Sequence, residues 1–360
     1  MRVIIAGGGT GGHLFPAVAL GEEIVRERPE SQVLFVGTTA GMEAKWLAQN
    51  GFAHELFQVH GMRGHSLRER ARALVEFFRA LGSARALLRR YGPNLVVGAG
   101  GYASAPMAMA AIIKRVPLLL MEQNTRPGLA NRILWRFADR LCVGFAETAN
   151  VWKSPKVEVT GNPIRFAPQP MAAPTPDQLQ ILVLGGSSGA HRLNLGAVKC
   201  FQNLEKGVIK SLWHQTGAAD EGLVKMAYQQ AGIEARVTPF IDDMAPALAH
   251  ANLIIARAGA MTVSEIALAA RPAIFVPYPF HRDRQQEHNA RVIEKLGGAI
   301  VIRDDDQLAE NLARTIRELA ADPARLSAMG PRAAAAAFPD AAQRVARACF
   351  EIADSRSARA

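Results

Sequence analysis

Short unbroken apolar runs alternate along the chain with longer stretches in which apolar residues recur every three or four positions. The run Val3–Ala6 comes first, followed by the helical spacing of Leu14–Glu27. An apolar run with no polar alternation suits a strand covered on both faces, and the three-to-four spacing suits a helix lying across it. The same pattern predicts a strand over Gln32–Val36 and a short helix over Gly41–Asn50. Further strands are expected over Leu95–Val97, Pro117–Met121, Arg140–Val143 and Lys156–Thr160. Strands alternating with helices imply a parallel, doubly wound sheet whose ligands collect at the carboxyl ends of its strands.

Residues 161–177 hold five prolines. Proline has no N–H to donate and a fixed φ, so this stretch reads as a linker. Beyond it the pattern restarts: Ile181–Leu184 runs into Gly185-Gly-Ser-Ser-Gly-Ala190, echoing the opening strand and its glycine loop. Strands follow over Ser211–Gln215, Ala235–Thr238, Leu253–Ala256, Ala273–Val276 and Ala299–Ile302, and the tail from Ala309 is helical. The expected fold class is α/β, with two Rossmann-like doubly wound parallel-sheet domains facing across a cleft. The domains fall at 1–163 and 178–340, with a Pro-rich linker at 164–177. After the Pro339-Asp340 break, a last helix at about 341–356 is expected to pack back on the first domain.

Composition narrows the class. At 360 residues, 49% hydrophobic and 21% charged, the chain reads as a soluble α/β protein, and no apolar run approaches the ~18 residues of a membrane span. Its start enters a strand directly, without the pattern of a secretory signal, which points to the cytoplasm. Cys142, Cys200 and Cys349 lack metal spacing and read as core residues in a reducing compartment. The net charge of +10 is uneven: residues 1–165 carry 21 basic and 12 acidic residues, the remainder 21 and 20. The first half should therefore meet an anionic partner. Eight arginines between Arg63 and Arg90 interleave with Leu74, Phe77, Phe78 and Leu81. That arrangement suits either a core-facing helix with a basic outer face or a surface entering anionic lipid headgroups. Nucleic acid fits it poorly, because no recognition motif accompanies the charge.

The candidate chemistry starts at Gly7-Gly-Gly-Thr10-Gly11-Gly12-His13. Five glycines in six positions after a strand can point several N–H groups into one concavity, and the following helix adds its positive end; a phosphate is the natural guest. Gly7-x-Gly9-x-x-Gly12 matches the dinucleotide fingerprint, but the second strand ends Val36-Gly-Thr-Thr39 without the carboxylate that holds the ribose of NAD. His13, at the helix start, is either a backbone-bonded histidine or a ring kept neutral by the helix and able to accept a proton. Gly98-Ala-Gly-Gly-Tyr102 and Glu122-Gln-Asn124 follow other strands and bring polar groups suited to sugar hydroxyls. In the second half, Arg257-Ala-Gly259-Ala260-Met261-Thr262-Val263-Ser264-Glu265 reads either as a helix cap or as a phosphate-and-ribose grip. Asp304-Asp-Asp306 reads as a solvated helix start, and no Asp-x-Asp stands where a metal-bridged diphosphate would need it.

Eight motifs occur in a fixed order: Gly-Gly-Gly-Thr-Gly-Gly-His, Gly-Gly-Tyr, Glu-Gln-Asn, Gly-Asn-Pro-Ile-Arg, Gly-Gly-Ser-x-Gly-Ala, Phe-Ile-Asp-Asp-Met, Gly-Ala-x-Thr-Val-Ser-Glu and Asp-Arg-Gln-Gln. Together, over about residues 3–350, they resemble the MurG family of peptidoglycan N-acetylglucosaminyltransferases, glycosyltransferase family 28. The resemblance implies the GT-B architecture and transfer of GlcNAc from UDP-GlcNAc, with inversion, to the C4 hydroxyl of the muramoyl sugar of lipid I, giving lipid II. It implies no cofactor and no metal. Thr10, Gly11 and Gly12 would lie at the donor diphosphate and sugar, and Asn124, Gln285 and Gln286 at the GlcNAc hydroxyls. Arg165 and Ser187 would meet the phosphates, Ile241 the uracil, and Ala260, Met261, Thr262, Val263, Ser264 and Glu265 the phosphate and ribose. His13 would be the base, with Tyr102 and Glu122 on the acceptor side. Tyr278-Pro-Phe280-His281 is a residue longer than the family's pattern. The implied partners are UDP-GlcNAc, lipid I, an anionic phospholipid surface and other proteins of cell-wall synthesis or division. The implied location is the cytoplasmic face of the inner membrane, held peripherally. Two other readings stand beside it: another enzyme of the same architecture, such as a UDP-GlcNAc 2-epimerase or a different glycosyltransferase, and a membrane-surface nucleotide-sugar binding protein without turnover.

Overall fold

The apolar runs fold into parallel strands of two separate sheets. The computed structural model describes residues 1–39, 42–59, 67–101, 103–166, 178–186, 189–281 and 283–357. Contacts divide the chain into two units, Met1–Arg165 with Asp340–Ala360, and Phe166–Pro339.

The first unit holds strands β1 (Arg2–Ala6), β2 (Gln32–Thr38), β3 (His54–Phe57), β4 (Leu95–Gly98), β5 (Leu118–Glu122), β6 (Arg140–Val143) and β7 (Val157–Val159). They form one sheet in the order β3-β2-β1-β4-β5-β6-β7, all pairs parallel. Its helices are α1 (Gly11–Glu27), α2 (Met42–Gln49), α3 (Leu67–Tyr91), α4 (Ser104–Lys114), α5 (Leu129–Leu134) and α6 (Ala146–Ala149). Strand side chains alternate between two cores. Ile4, Val36, Val96, Leu118 and Leu120 meet Ala80, Ala84 and Leu87 of α3 and Met107 of α4, while Val3, Ile5, Phe35, Val97 and Leu119 meet Leu14, Val18 and Ile24 of α1. Because both faces are covered, the strands read as continuous apolar runs.

The second unit repeats the design. Strands β8 (Leu179–Leu184), β9 (Ile209–Gln215), β10 (Arg236–Thr238), β11 (Leu253–Ala256), β12 (Ala273–Phe275) and β13 (Ala299–Val301) lie in the order β10-β9-β8-β11-β12-β13. Helices α7 (His191–Gln202), α8 (Glu221–Gln230), α9 (Met244–His250), α10 (Ala260–Leu268), α11 (Gln285–Glu294), α12 (Leu308–Ala321) and α13 (Pro323–Ala334) accompany them. The chain then returns to the first unit as α14 (Ala341–Ser357), whose Val345, Ala346, Cys349 and Ile352 join the core beneath α1. Arg28 of the first unit spans Asp354 at 2.7 Å and stacks 4.1 Å over Phe350.

In both sheets the strand order reverses beside the first strand, between β1 and β4 and between β8 and β11. These are the switch points where doubly wound sheets open a crevice at their carboxyl ends. The α/β, doubly wound expectation holds, with three local differences. The strand His54–Phe57 went unread because its polar His54 and Glu55 break the apolar run. Helix α1 starts at Gly11 rather than Leu14, glycine being a poor helix former that hides a helix start. Leu81, expected at lipid, packs against the core beside Ala80 and Ala84, so only part of the apolar set on α3 faces outward.

Candidate functional site

The first glycine loop lies at the carboxyl end of β1, next to the end of β4, where Ala6 pairs with Gly98. Thr10 precedes α1 in extended conformation (φ −146°), and its carbonyl accepts from His13 and Leu14 N–H at 3.1 and 3.2 Å. Gly11, Gly12 and His13 thus form the first helical turn, in which the N–H groups of Gly11 and Gly12 have no earlier helical carbonyl to bond. The loop after β4 interlocks with this one. Gly101 has φ +79°, and a Cβ there would lie 1.9 Å from the Gly8 carbonyl oxygen; a Cβ on Gly100 would lie 2.5 Å from Nδ1 of His13. Only glycine allows the two backbones and the imidazole to meet.

Polar residues beyond β5 hold this arrangement. Gln123 donates from Nε2 to the Ala99 carbonyl at 3.0 Å, and its Oε1 lies 3.2 Å from His13 Nδ1. Glu122 is buried, and its carboxylate is engaged by its own loop. Oε1 accepts from Asn124 N at 3.1 Å and Asn124 Nδ2 at 3.3 Å, and Oε2 from Gly128 N at 2.8 Å and Asn131 Nδ2 at 2.9 Å. Four donors satisfy the four lone-pair positions of a carboxylate.

In the second unit the corresponding loop follows β8. Gln215 holds it, accepting from Gly186 N at 3.1 Å and donating to the Gly186 and Pro239 carbonyls at 3.0 Å each. Asn194 on α7 donates to the Thr216 carbonyl at 2.9 Å and to Asp220 at 2.7 Å, so its own oxygen accepts from His214 Nε2, 3.1 Å away. Tyr228 completes the chain at 2.8 Å from His214 Nδ1. Burial depresses the His214 pKa to about 3, so the ring works as a neutral strut.

Across the switch point, Gly259 stands before α10 with no side-chain cap. Glu265 lies two turns into α10 rather than at its start, partly buried, and among the described residues it has no hydrogen-bond partner. Burial pushes its pKa up to about 8. Arg257, just past β11, is 7% exposed and donates to the Val276 and Pro277 carbonyls at 3.0 and 3.4 Å and to Asp304 at 2.7 Å. Asp304 also accepts from Arg192 at 2.8 Å. The loop that Arg257 clamps leads to Gln286, whose Oε1 accepts from Tyr278 N–H at 2.9 Å.

Two family models cover these two loop clusters, one in each unit. "Glycosyltransferase family 28 N-terminal domain" matches residues 3–143, and "Glycosyltransferase family 28 C-terminal domain" matches residues 180–345. The chain belongs to glycosyltransferase family 28. Family relatives from Geobacter metallireducens and Syntrophus aciditrophicus are each 41% identical, over 95% and 98% of this chain and 96% and 99% of theirs. Both are named UDP-N-acetylglucosamine–N-acetylmuramyl-(pentapeptide) pyrophosphoryl-undecaprenol N-acetylglucosamine transferase. The crystal structure of Acinetobacter baumannii MurG matches with a TM-score of 0.77 and 31% identity, covering 96% of this chain and 98% of that one. A putative UDP-N-acetylglucosamine 2-epimerase from Listeria monocytogenes shares the fold, with a TM-score of 0.70 at 14% identity over 97% and 96% of the two chains.

Within this family 28 chain the expected site residues divide clearly. Thr10, Gly11, Gly12, His13, Glu122 and Asn124 gather at one sheet's carboxyl edge, and Ile241, Ala260 through Glu265, Gln285 and Gln286 belong to the other unit. Tyr102 and Ser187 lie outside the described residues. Three of the charged residues have partners within their own unit. Glu122, expected on the acceptor side, ties down the loop carrying Asn124. The guanidinium of Arg165 sits 4.7 Å from the Trp46 ring centroid and 3.9 Å from the Glu22 carboxylate, packed on its own unit. Asp304, read as part of a solvated helix start, is buried between two arginines, while Asp305 and Asp306 are exposed. From the sequence Gln215 has no role, Gln123 only a share in a polar group suited to sugar hydroxyls, and Arg257 only a place in the stretch before Glu265. Each directly follows or ends a strand, but only the folded contacts show what their side chains reach.

Proposed function

We propose that this chain is an inverting glycosyltransferase that moves GlcNAc from UDP-GlcNAc to the C4 hydroxyl of lipid I, giving lipid II and UDP. The near full-length likeness to enzymes of that name supports the reaction. Within the structure, the observation that carries the reading is Glu265, a carboxyl without a hydrogen-bond partner among the described residues, on the helix after a switch-point glycine. A ribose diol supplies the two donors such a group lacks. The second unit then binds the UDP end of the donor, with the α10 N-terminus at phosphate, Ile241 at uracil and Gln285 and Gln286 at the sugar.

The first unit supplies the acceptor side. The α1 N-terminus and the glycine N–H groups face the diphosphate–sugar end, and His13 removes the C4 hydroxyl proton as that oxygen displaces the diphosphate at the anomeric carbon. Asn124, placed by Glu122, meets the sugar. Ser187 and Arg165 complete the phosphate contacts, for which Arg165 must leave Trp46; Tyr102 belongs to the acceptor side. Lipid I brings the protein to the cytoplasmic face of the inner membrane, where it is held peripherally. The described residues include no helix long and apolar enough to cross a membrane. Exposed Leu74, Val75 and Phe78, with Phe77 half-buried beside them and Arg72 and Arg79 around them, suit an anionic phospholipid surface.

Incubation with radiolabelled UDP-GlcNAc and a lipid I analogue is expected to give lipid-linked GlcNAc with stoichiometric UDP. No lipid-linked product would sink the proposal, and UDP-ManNAc formed without acceptor would replace it with epimerisation. Gln286→Ala should lower the preference for UDP-GlcNAc over UDP-GalNAc at least tenfold in kcat/KM; an unchanged ratio would remove Gln286 from the sugar site.

A further inference from the structure

Gln123 is 2% exposed, one residue past the end of β5, and both ends of its side-chain amide are engaged. Its backbone carbonyl accepts from Asn162 Nδ2 at 3.1 Å, which fixes the residue in place. Its amide nitrogen lies 3.0 Å from the Ala99 carbonyl, and a carbonyl can only accept. The amide NH2 therefore faces Ala99, and Oε1 faces His13 Nδ1 at 3.2 Å. Because Oε1 can only accept in turn, the hydrogen between them belongs to Nδ1. A neutral imidazole carries one N–H, so its lone pair is on Nε2.

We infer that Gln123 is the positioning residue that sets the Nδ1–H tautomer of His13 and makes Nε2 the basic nitrogen of the proposed transfer. This rests on the glycosyl-transfer reading. In the reaction the acceptor O–H bond breaks as its oxygen bonds to the anomeric carbon. The proton moves to Nε2, and the electrons of the anomeric carbon–oxygen bond leave with UDP. The imidazolium that results keeps its Nδ1–H on Gln123.

A carboxamide suits the position better than a carboxylate. It orients the ring without the Coulombic pull that would keep the imidazole protonated before the reaction, and it avoids burying a second charge beside Glu122. Gly100, packed on the ring, brings no side chain, Glu122 is committed to Asn124, Gly128 and Asn131, and α1 contributes its positive end. Gly100 completes the device, since a side chain there would displace the ring from Gln123.

Two measurements test this. In protein labelled with 15N-histidine, with the His13 signals assigned through His13→Gln, long-range 1H–15N correlations should show Nδ1 protonated, and Gln123→Met should populate the other tautomer. In kinetics, Gln123→Met should lower kcat tenfold or more with the KM for UDP-GlcNAc within threefold of wild type. Gln123→Glu should move the acidic limb of the kcat profile up by a pH unit or more. An Nε2–H tautomer in wild type, or an unmoved acidic limb in Gln123→Glu, would overturn the inference. If Gln123→Met does not fold, the wild-type spectrum and Gln123→Glu decide it. A wild-type protein that makes no lipid-linked product removes the transfer reading instead, and its tautomer still decides the role of Gln123.

Discussion

Glu265 illustrates how a single group can be poised for a ligand. A partly buried carboxyl with no hydrogen-bond partner among the described residues resists ionisation, and its pKa rises from 4.5 to about 8. Near neutral pH most of it is therefore protonated. A ribose diol donating two hydrogen bonds favours the anion, so UDP binding at pH 7 should release a proton. The slope of calorimetric binding enthalpy against buffer ionisation enthalpy would reveal it. Glu265→Gln should abolish the release and weaken UDP about tenfold, the loss expected for hydrogen bonds to a charged acceptor. The stability sign is also fixed. The folded protein binds this proton more tightly than the unfolded chain, so the stabilisation present below pH 4.5 is lost as pH rises toward 8. Glu265→Gln should accordingly raise the melting temperature relative to wild type more at pH 8 than at pH 5. Equal shifts at the two values would mean that the carboxyl ionises freely.

Arg257 shows how elements are held in register around such a group. One guanidinium fastens the end of β11 to the start of the β12–α11 loop and, through Asp304 and Arg192, to α7 and the loop before α12. Asn289 on α11 adds a bond to the Ala258 carbonyl at 3.3 Å. Lysine is a point charge that cannot reproduce this fork. Arg257→Lys should therefore loosen the loop that anchors Gln286 and lower UDP-GlcNAc over UDP-GalNAc discrimination about tenfold. Glu265 sits on α10 itself, so the Kd for UDP should stay within threefold. A parallel loss of both would show that the clamp supports the whole unit rather than the loop.

The charge and apolar distribution of the complete chain set one face of the first unit apart. Helices α3, α4 and α5 cover the same side of its sheet, with Ala80 and Ala84 turned inward. Leu74 and Phe78 of α3 are 53% and 59% exposed, and Ile133 of α5 is 55% exposed. Large apolar groups outside small ones invert the usual order of a soluble helix, and an excess of arginine accompanies them. Replacing Leu74 and Phe78 together with Ser should cut partition onto anionic liposomes tenfold or more while sparing turnover of a short-chain acceptor. Full retention on the liposomes would assign the exposed rings another purpose.

Much of this was legible before folding. Covered parallel strands need continuous apolar runs, and crossover helices need a period near 3.6, so both sheets and their glycine loops can be read from residue type and spacing alone. The motif order pointed to the family for the same reason, since backbone approach to phosphate demands glycine at set positions. Roles that depend on what a side chain meets were not legible. Glu122, Asp304 and Arg165 carry charges that a sequence assigns equally well to solvent, substrate or scaffold. Gln123 has no signal of its own, because an amide's partners lie 24 and 110 residues away in the chain. Composition and periodicity determined the two sheets and the chemistry at their ends. Tertiary contact alone decided which polar groups are already satisfied and which, like Glu265, have no partner among the described residues.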